Sequence, residues 1–265
     1  MYSRIQFAKK YLQYYFKASN GSGHGIHSPF VFDFIKNVLN DKQDPEAYTP
    51  IEILRKQLLQ DQTKVEVKDF GAGSAKTKSH LRSVSEIVKN SAVGPKLGQL
   101  LFRISKYYQP KTIIELGTSL GLSAAYLASG NRNASLITIE GSGEIASVAD
   151  KNFDRLGLKN VQLIRGNFDD QLSPVIGHLS AIDMAYIDGN HRMEPVLRYF
   201  NMFMEHMADP SMIVFDDIHW SNDMEEAWAF IQNDSRVKLT VDLFFFGVIF
   251  FRNEFKVKQD FIIRF

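Results

Sequence analysis

The chain has 265 residues, 45% of them hydrophobic and 23% charged, with a formal charge of +1 at pH 7. That length suits one large domain or a domain with a sizeable extension, and the apolar content is enough for a core. The near-zero charge gives no strong field that would argue for nucleic acid or a membrane surface, and no nucleic-acid partner is expected; the absence of cysteine removes disulfides, thiolate nucleophiles and cysteine metal sites and suits a cytoplasmic protein.

In chain order, "MYSRIQFAKKYLQYYFKASN" has no continuous apolar core and no small-residue cleavage site, so it does not read as a secretory signal. The first thirty-two residues hold Arg4, Lys9, Lys10 and Lys17 and no acid. Such a helix can touch a membrane surface or dock on the rest of the protein, and docking is the preferred reading. "SNGSGHG" is a turn. "HSPFVFDFIKNVL" reads as a helix with Ser28 as N-cap and Pro29 at the first helical position, and "YTPIEILRKQLLQ" repeats the device with Thr49 and Pro50. In "KVEVKDFGAGSAKTKSH" a short strand meets a basic loop in which Gly71 and Gly73 supply positive φ; Lys76 and Lys78 are candidates for a lid. Two helical patterns follow. Residues 1–90 are therefore expected to form a mainly helical extension serving as lid or dimerisation element, and residues 91–265 a second domain.

From Thr112 the rhythm is regular. "TIIELG", "SLITIE", "VQLIRG", "AIDMAYID" and "SMIVFDD" read as strands, each followed by a helical pattern, and "VKLTVDLF" and "FGVIFFR" close the chain as two strands without a helix between them. Alternating strands and helices imply right-handed crossovers and a parallel sheet covered on both faces. The expectation is an open, doubly wound, Rossmann-like α/β sheet of seven strands with an antiparallel last strand. The longest apolar run, "LFFFGVIFF", is too short to cross a bilayer as a helix, so no membrane span is expected.

In such a sheet ligands sit beyond the C-terminal strand ends. The first regular strand ends at Glu115, and the turn "GTSLG" brings Gly117 and Gly121 before a helix N-terminus whose N–H groups favour an anion. The next strand ends in Glu140, which stands 140 − 121 = 19 residues beyond the second glycine. At that spacing a carboxylate accepts hydrogen bonds from both ribose hydroxyls of a nucleotide-like ligand. "DFGAGS" lacks a following acid-terminated strand and is read as a turn.

Two other chemistries fit part of the pattern. "GTSLG" matches G-x-S-x-G, the nucleophile elbow of esterases, with Ser119 at the turn and Asp188 or Asp216 and His219 following in the Ser, Asp, His order. That elbow normally follows several earlier strands, and Glu140 would have no role. Dinucleotide binding would need the third glycine of G-x-G-x-x-G, which is missing. A non-catalytic cofactor-binding protein is a further alternative.

"ELGTSLGLS", "TIE" and "YIDGNH" resemble class I S-adenosylmethionine-dependent methyltransferases, and within them the small O-methyltransferases related to catechol O-methyltransferase. The resemblance covers Ser91 to Arg252; "HGIHSPFVFDFI" and "DFGAGS" are similar to a bacterial branch with this extension. It implies a methyltransferase acting on a hydroxyl of a small acceptor, aromatic in the catechol-type relatives. The loop Gly117, Thr118, Ser119 and Gly121 would pass along the methionine part of the cofactor. Glu115 would help hold its amino group, Ser123 would face its carboxylate, and Glu140 would take the ribose. Asn167 and Phe168 stand where relatives contact adenine, with an acid usual at the first; Asp169 is a substitute. Asp188 would lie beside the methyl-bearing sulfur.

For a hydroxyl acceptor the resemblance offers two ways to handle the proton. One is a divalent cation such as Mg²⁺ on Asp188, Asp216 and Asp217, where relatives carry Asp-Asn rather than "DD". The other is a histidine base, His191 or His219, with Trp220 stacking on a planar ring. A homodimer is the expected partner state.

Overall fold

The computed structural model describes residues 1–42, 45–67 and 81–265. The "DFGAGS" loop, with Gly71, Gly73, Lys76 and Lys78, lies outside the described residues. Two compact units emerge, one of residues 41–177 and one of residues 1–40 with 178–265.

In the unit 41–177, the strands Thr112–Leu116, Ser135–Glu140 and Val161–Arg165 run parallel, each beside the next. Between the first two lies the helix Leu122–Gly130, in which Leu122 to Ala128 are all buried. A helix apolar all round needs cover on every side, and part of that cover is the helix Pro95–Tyr108. Glycine permits the close crossing: a Cβ on Gly98 would stand 2.2 Å from the Tyr126 ring, and one on Gly130 would stand 2.5 Å from the Phe102 carbonyl. The strand-like "KVEVKDF" is Lys64–Glu66, paired antiparallel with Leu81–Ser83. The helix Val84–Ser91 begins with a capping box between Ser83 and Glu86.

Ser28 caps the helix Pro29–Phe34 as expected, accepting from the Val31 amide. Thr49 does not cap its helix. A 3₁₀ turn, Pro45–Tyr48, runs straight into Thr49–Leu58, so Thr49 is already the first helical residue and no side chain caps the helix. The continuous turn leaves no extended N-cap position for its hydroxyl to act from.

The other unit holds five strands, in the spatial order Ile182–Ile187, Met207–Asp216, Phe246–Phe251, Leu239–Asp242, Gln259–Ile262. The first pair is parallel. Phe246–Phe251 runs antiparallel to both neighbours, as the missing crossover helix requires. The last strand, parallel to Leu239–Asp242, was not expected. With three strands in the first unit it brings the α/β strands among the described residues to eight rather than seven; four residues on an edge carry too little pattern to be read.

The basic N-terminal segment forms the helix Arg4–Lys17, opened by a capping box from Ser3 and Gln6. One of its faces docks within its own unit: Phe7, Tyr11 and Tyr14 surround the buried Phe244 ring at centroid distances of 5.0–5.2 Å, and the Tyr14 hydroxyl donates to the Ile263 carbonyl. Among the described residues no helix is long and apolar enough to cross a membrane.

Candidate active site

Two clusters of candidate residues sit at strand ends, one in each unit. In the first, the chain leaves Leu116 through a turn that a side chain rarely tolerates: φ is +102° at Gly117, +48° at Ser119 and +82° at Gly121. Left-handed backbone is easy for glycine and costs roughly 1–2 kcal/mol elsewhere, so Ser119 is a strained position. The turn is held at three points. Gly117 and Thr118 donate to the Ile139 carbonyl at 3.1 and 3.3 Å. The Thr118 hydroxyl lies 2.5 Å from that of Thr138, which donates at 2.5 Å to Glu115. The Asn152 amide donates to the Leu120 carbonyl at 2.9 Å.

Glu140 joins the loops that follow adjacent strands. One carboxylate oxygen accepts from the Ser119 amide and the other from the Ser142 amide, both at 2.8 Å. The group is half-buried. Glu115 is completely buried with Thr118 and Thr138, and Ser123 is 4% exposed on the first turn of its helix. Gly121 has a packing reason to be glycine beyond any approach to a ligand, because a Cβ there would meet the Phe153 ring at 2.6 Å. Asn167 serves as a helix start: its side-chain oxygen accepts from the Asp169 amide at 3.3 Å, and its carbonyl accepts from Asp170 and Gln171. Phe168 is half-buried and Asp169 exposed.

The second cluster crowds three carboxyls. Asp188 follows the strand Ile182–Ile187, and Asp216 ends the strand Met207–Asp216 with Asp217 in left-handed conformation, φ +54°. The Tyr186 hydroxyl lies within reach of both Asp188, at 3.3 Å, and Asp216, at 3.2 Å. Burial pushes the Asp188 carboxyl up to about 6 despite the pull of His191, with Asp217 pushing the same way. Burial and then the charges of Asp188 and Asp217 hold the Asp216 carboxyl well above the ordinary range. Burial also raises Asp217. Like charges this close cannot all ionise cheaply. His191 places its Nε2 3.6 Å from Asp188, and its ring centroid is 5.6 Å from that of Trp220. Among the described residues no three or more His, Asp or Glu side chains are arranged to hold a metal ion.

His219 is differently employed. Its Nε2 is 2.8 Å from Asp242 and its Nδ1 3.1 Å from Glu225, and its ring stacks on Phe244 at 5.2 Å. Glu225 in turn accepts from Tyr2, at 2.8 Å, and from Lys10, at 2.6 Å. Burial opposes the charge on His219, but the bonds to Asp242 and Glu225 outweigh it and raise its pKa. With both ring nitrogens engaged it ties the N-terminal helix to the turn after Asp216, and it is not the free imidazole that the esterase triad or a second base requires.

Thr138, Asn152, Ser142 and Tyr186 were not singled out from the sequence. Thr138 left a trace, a polar residue in the apolar run "SLITIE". Asn152 bonds to Leu120 and Tyr186 to Asp216, residues that only folding brings near, and the Ser142 amide serves Glu140 through its backbone, which no side chain announces.

Residues 114–218 match the family model of a methyltransferase domain. A catechol O-methyltransferase from Niastella koreensis is 33% identical over 130 residues, 48% of this chain and 58% of that protein. The chain thus matches little more than half the length of this relative. Among solved structures, an O-methyltransferase from Bacillus cereus in complex with S-adenosylhomocysteine aligns with 84% of this chain and 97% of its own, at 18% identity and a TM-score of 0.55. The Podospora anserina methyltransferase PaMTH1, bound to the same compound, aligns with 95% of this chain and 97% of its own, at 16% identity and a TM-score of 0.57. These likenesses establish the expected Rossmann-like α/β fold.

Proposed function

We propose that this chain, whose residues 114–218 match the family model of a methyltransferase domain, is a class I enzyme that transfers a methyl group from S-adenosylmethionine to a hydroxyl of a small acceptor. The observation that carries the reading is Glu140, a half-buried carboxylate aimed by the Ser119 and Ser142 amides at the end of its strand. The donor set fits the cofactor. A carboxylate oxygen can accept more than one hydrogen bond, so an oxygen already fixed by an amide can also receive a ribose hydroxyl. Gly117 to Gly121 offer backbone to the methionine part, and the first turn of the helix Leu122–Gly130, with Ser123, suits its carboxylate. Glu115, closed off by Thr138, supports the turn from below. Phe168 offers a face to adenine beside Asn167.

S-adenosylmethionine supplies a methyl group on a sulfonium leaving group, so the protein's main task is alignment, which supplies roughly 7–11 kcal/mol through effective molarity. The remaining task is the acceptor's proton. His191 takes it at Nδ1, with Nε2 turned to Asp188, whose carboxylate stabilises the imidazolium. Trp220, beside His191, offers a face to a planar acceptor.

A divalent cation on Asp188, Asp216 and Asp217 is the second reading, favoured by three buried carboxyls close enough that Asp217 raises both of the others. Against it, no three His, Asp or Glu side chains among the described residues are arranged to hold a metal ion.

The test is methyl release from labelled S-adenosylmethionine with a panel of phenols and catechols, before and after exhaustive chelation. Turnover that survives chelation and is lost in His191→Ala supports the base. Turnover abolished by chelation and restored by Mg²⁺ supports the cation. Tight binding of S-adenosylhomocysteine without turnover on any acceptor supports a non-catalytic cofactor-binding protein.

A further inference from the structure

The basic N-terminal helix is not fully explained by its docking. Ile5, Leu12 and Phe16, spaced i, i+7, i+11, fall within about 40° of one another around the helix, and Phe7 and Tyr14 lie on the opposite side. The second set is the docked face. The first is open to solvent, with Ile5 83%, Leu12 55% and Phe16 78% exposed. Of the twelve large hydrophobic residues exposed among those described, six (Met1, Ile5, Tyr11, Leu12, Tyr15 and Phe16) belong to the first sixteen residues. An apolar patch this concentrated marks an interaction surface rather than scattered exposure.

Its charge says what kind. Arg4, Lys9 and Lys17 are exposed around the patch, and the helix contains no acid. Arg264 adds a further cation, its guanidinium 4.2 Å from the Tyr15 ring centre and its Nε donating to the Tyr15 carbonyl. The chain as a whole is only +1, so this is local enrichment. Across a two-fold axis the helix would set these cations against themselves with no carboxylate to receive them. An apolar stripe edged by lysine and arginine matches the boundary between acyl chains and anionic headgroups. Lys10, bonded to Glu225, and Tyr14, bonded to Ile263, hold the helix from beneath so that the stripe faces outward.

We propose that the outer face of the helix Arg4–Lys17 is a docking surface for an anionic lipid bilayer, with Ile5, Leu12 and Phe16 entering the interface and Arg4, Lys9, Lys17 and Arg264 meeting the headgroups. The protein then binds a membrane peripherally, through this face. Methyl acceptors dissolved in the bilayer become accessible to it.

The experiment is vesicle co-sedimentation of the full chain with phosphatidylglycerol–phosphatidylcholine and with pure phosphatidylcholine vesicles, at low and at high salt. Expected are binding to the anionic vesicles, at least tenfold weaker binding to the neutral ones, and release by salt, which screens exposed charges beyond roughly a Debye length. Leu12→Glu and Phe16→Glu each reduce binding at least tenfold, with an unchanged thermal transition and unchanged affinity for S-adenosylhomocysteine. No binding to anionic vesicles, or binding indifferent to both substitutions, overturns the proposal. So does a dimer in sedimentation velocity that Leu12→Glu dissociates, because the face would then be covered by a second copy. Weak S-adenosylhomocysteine binding by the parent chain bears only on the cofactor assignment.

Discussion

Replacing Glu140 by glutamine removes one negative charge at the strand end and keeps the side chain's shape. Two losses follow from its position. The first falls on the fold: the carboxylate accepts from the Ser119 and Ser142 amides with different oxygens, whereas a carboxamide has one acceptor oxygen. One amide loses its partner, at a cost of about 1–2 kcal/mol in unfolding free energy. The second falls on the ligand. Hydrogen bonds to a charged group contribute about 1.5–3 kcal/mol each, so neutralising the acceptor of two ribose hydroxyls weakens binding by about 2–4 kcal/mol, or about 30- to 1,000-fold. Titration calorimetry with S-adenosylhomocysteine reads the second loss and urea unfolding the first. Affinity within about threefold of the parent, in a variant that still folds, would refute the ribose assignment and leave Glu140 as a loop staple only.

Gly121→Ala is expected to destabilise the protein by about 2–4 kcal/mol in thermal unfolding, since it combines φ +82° with a Cβ 2.6 Å from the Phe153 ring; a change of a few tenths would contradict the packing. Asp188→Asn is expected to abolish methyl transfer while leaving stability at pH 8 unchanged or increased by up to about 2 kcal/mol, because burial raises that carboxyl to about 6 and its ionisation costs stability above that pH. A variant that loses activity and stability together would make Asp188 a structural residue. His219 has a folded pKa raised by Asp242 and Glu225, so its contribution is fully present below its unfolded value near about 6.5 and is lost as pH rises through the folded value. Urea midpoints should therefore fall between neutral and mildly alkaline pH in the parent and fall less in His219→Gln; parallel curves would contradict the network.

The parts legible in the sequence are those that local pattern controls. Buried parallel strands announce themselves as apolar runs, and the step from Glu115 through Gly117 to Glu140 needed only spacing. Ser28 with Pro29 gave a true helix start. Thr49 with Pro50 looked the same and failed, because the preceding 3₁₀ turn carries the chain into the helix without an extended residue. The edge strand Gln259–Ile262 was illegible because it is held by its neighbour Leu239–Asp242 rather than by its own four residues. His219 looked like a base because nothing local reveals that Asp242, Glu225, Lys10 and Tyr2 converge on it. The crowding of Asp188 with Asp216 and Asp217 was expected, but Tyr186 as their shared donor was not, since a tyrosine in "AIDMAYID" reads as core. The N-terminal helix shows the same limit: its basic character was visible, but its two opposed apolar faces required knowing which one was buried.

The central claim, that Glu140 and the Gly117–Gly121 turn hold S-adenosylmethionine, is tested most directly by a crystal structure of the chain with S-adenosylhomocysteine. The account predicts electron density with both ribose hydroxyls within hydrogen-bonding distance of the Glu140 carboxylate and the amino-acid end beside the turn. Density for the compound elsewhere, or a Glu140 side chain turned to solvent with the compound bound, would contradict it.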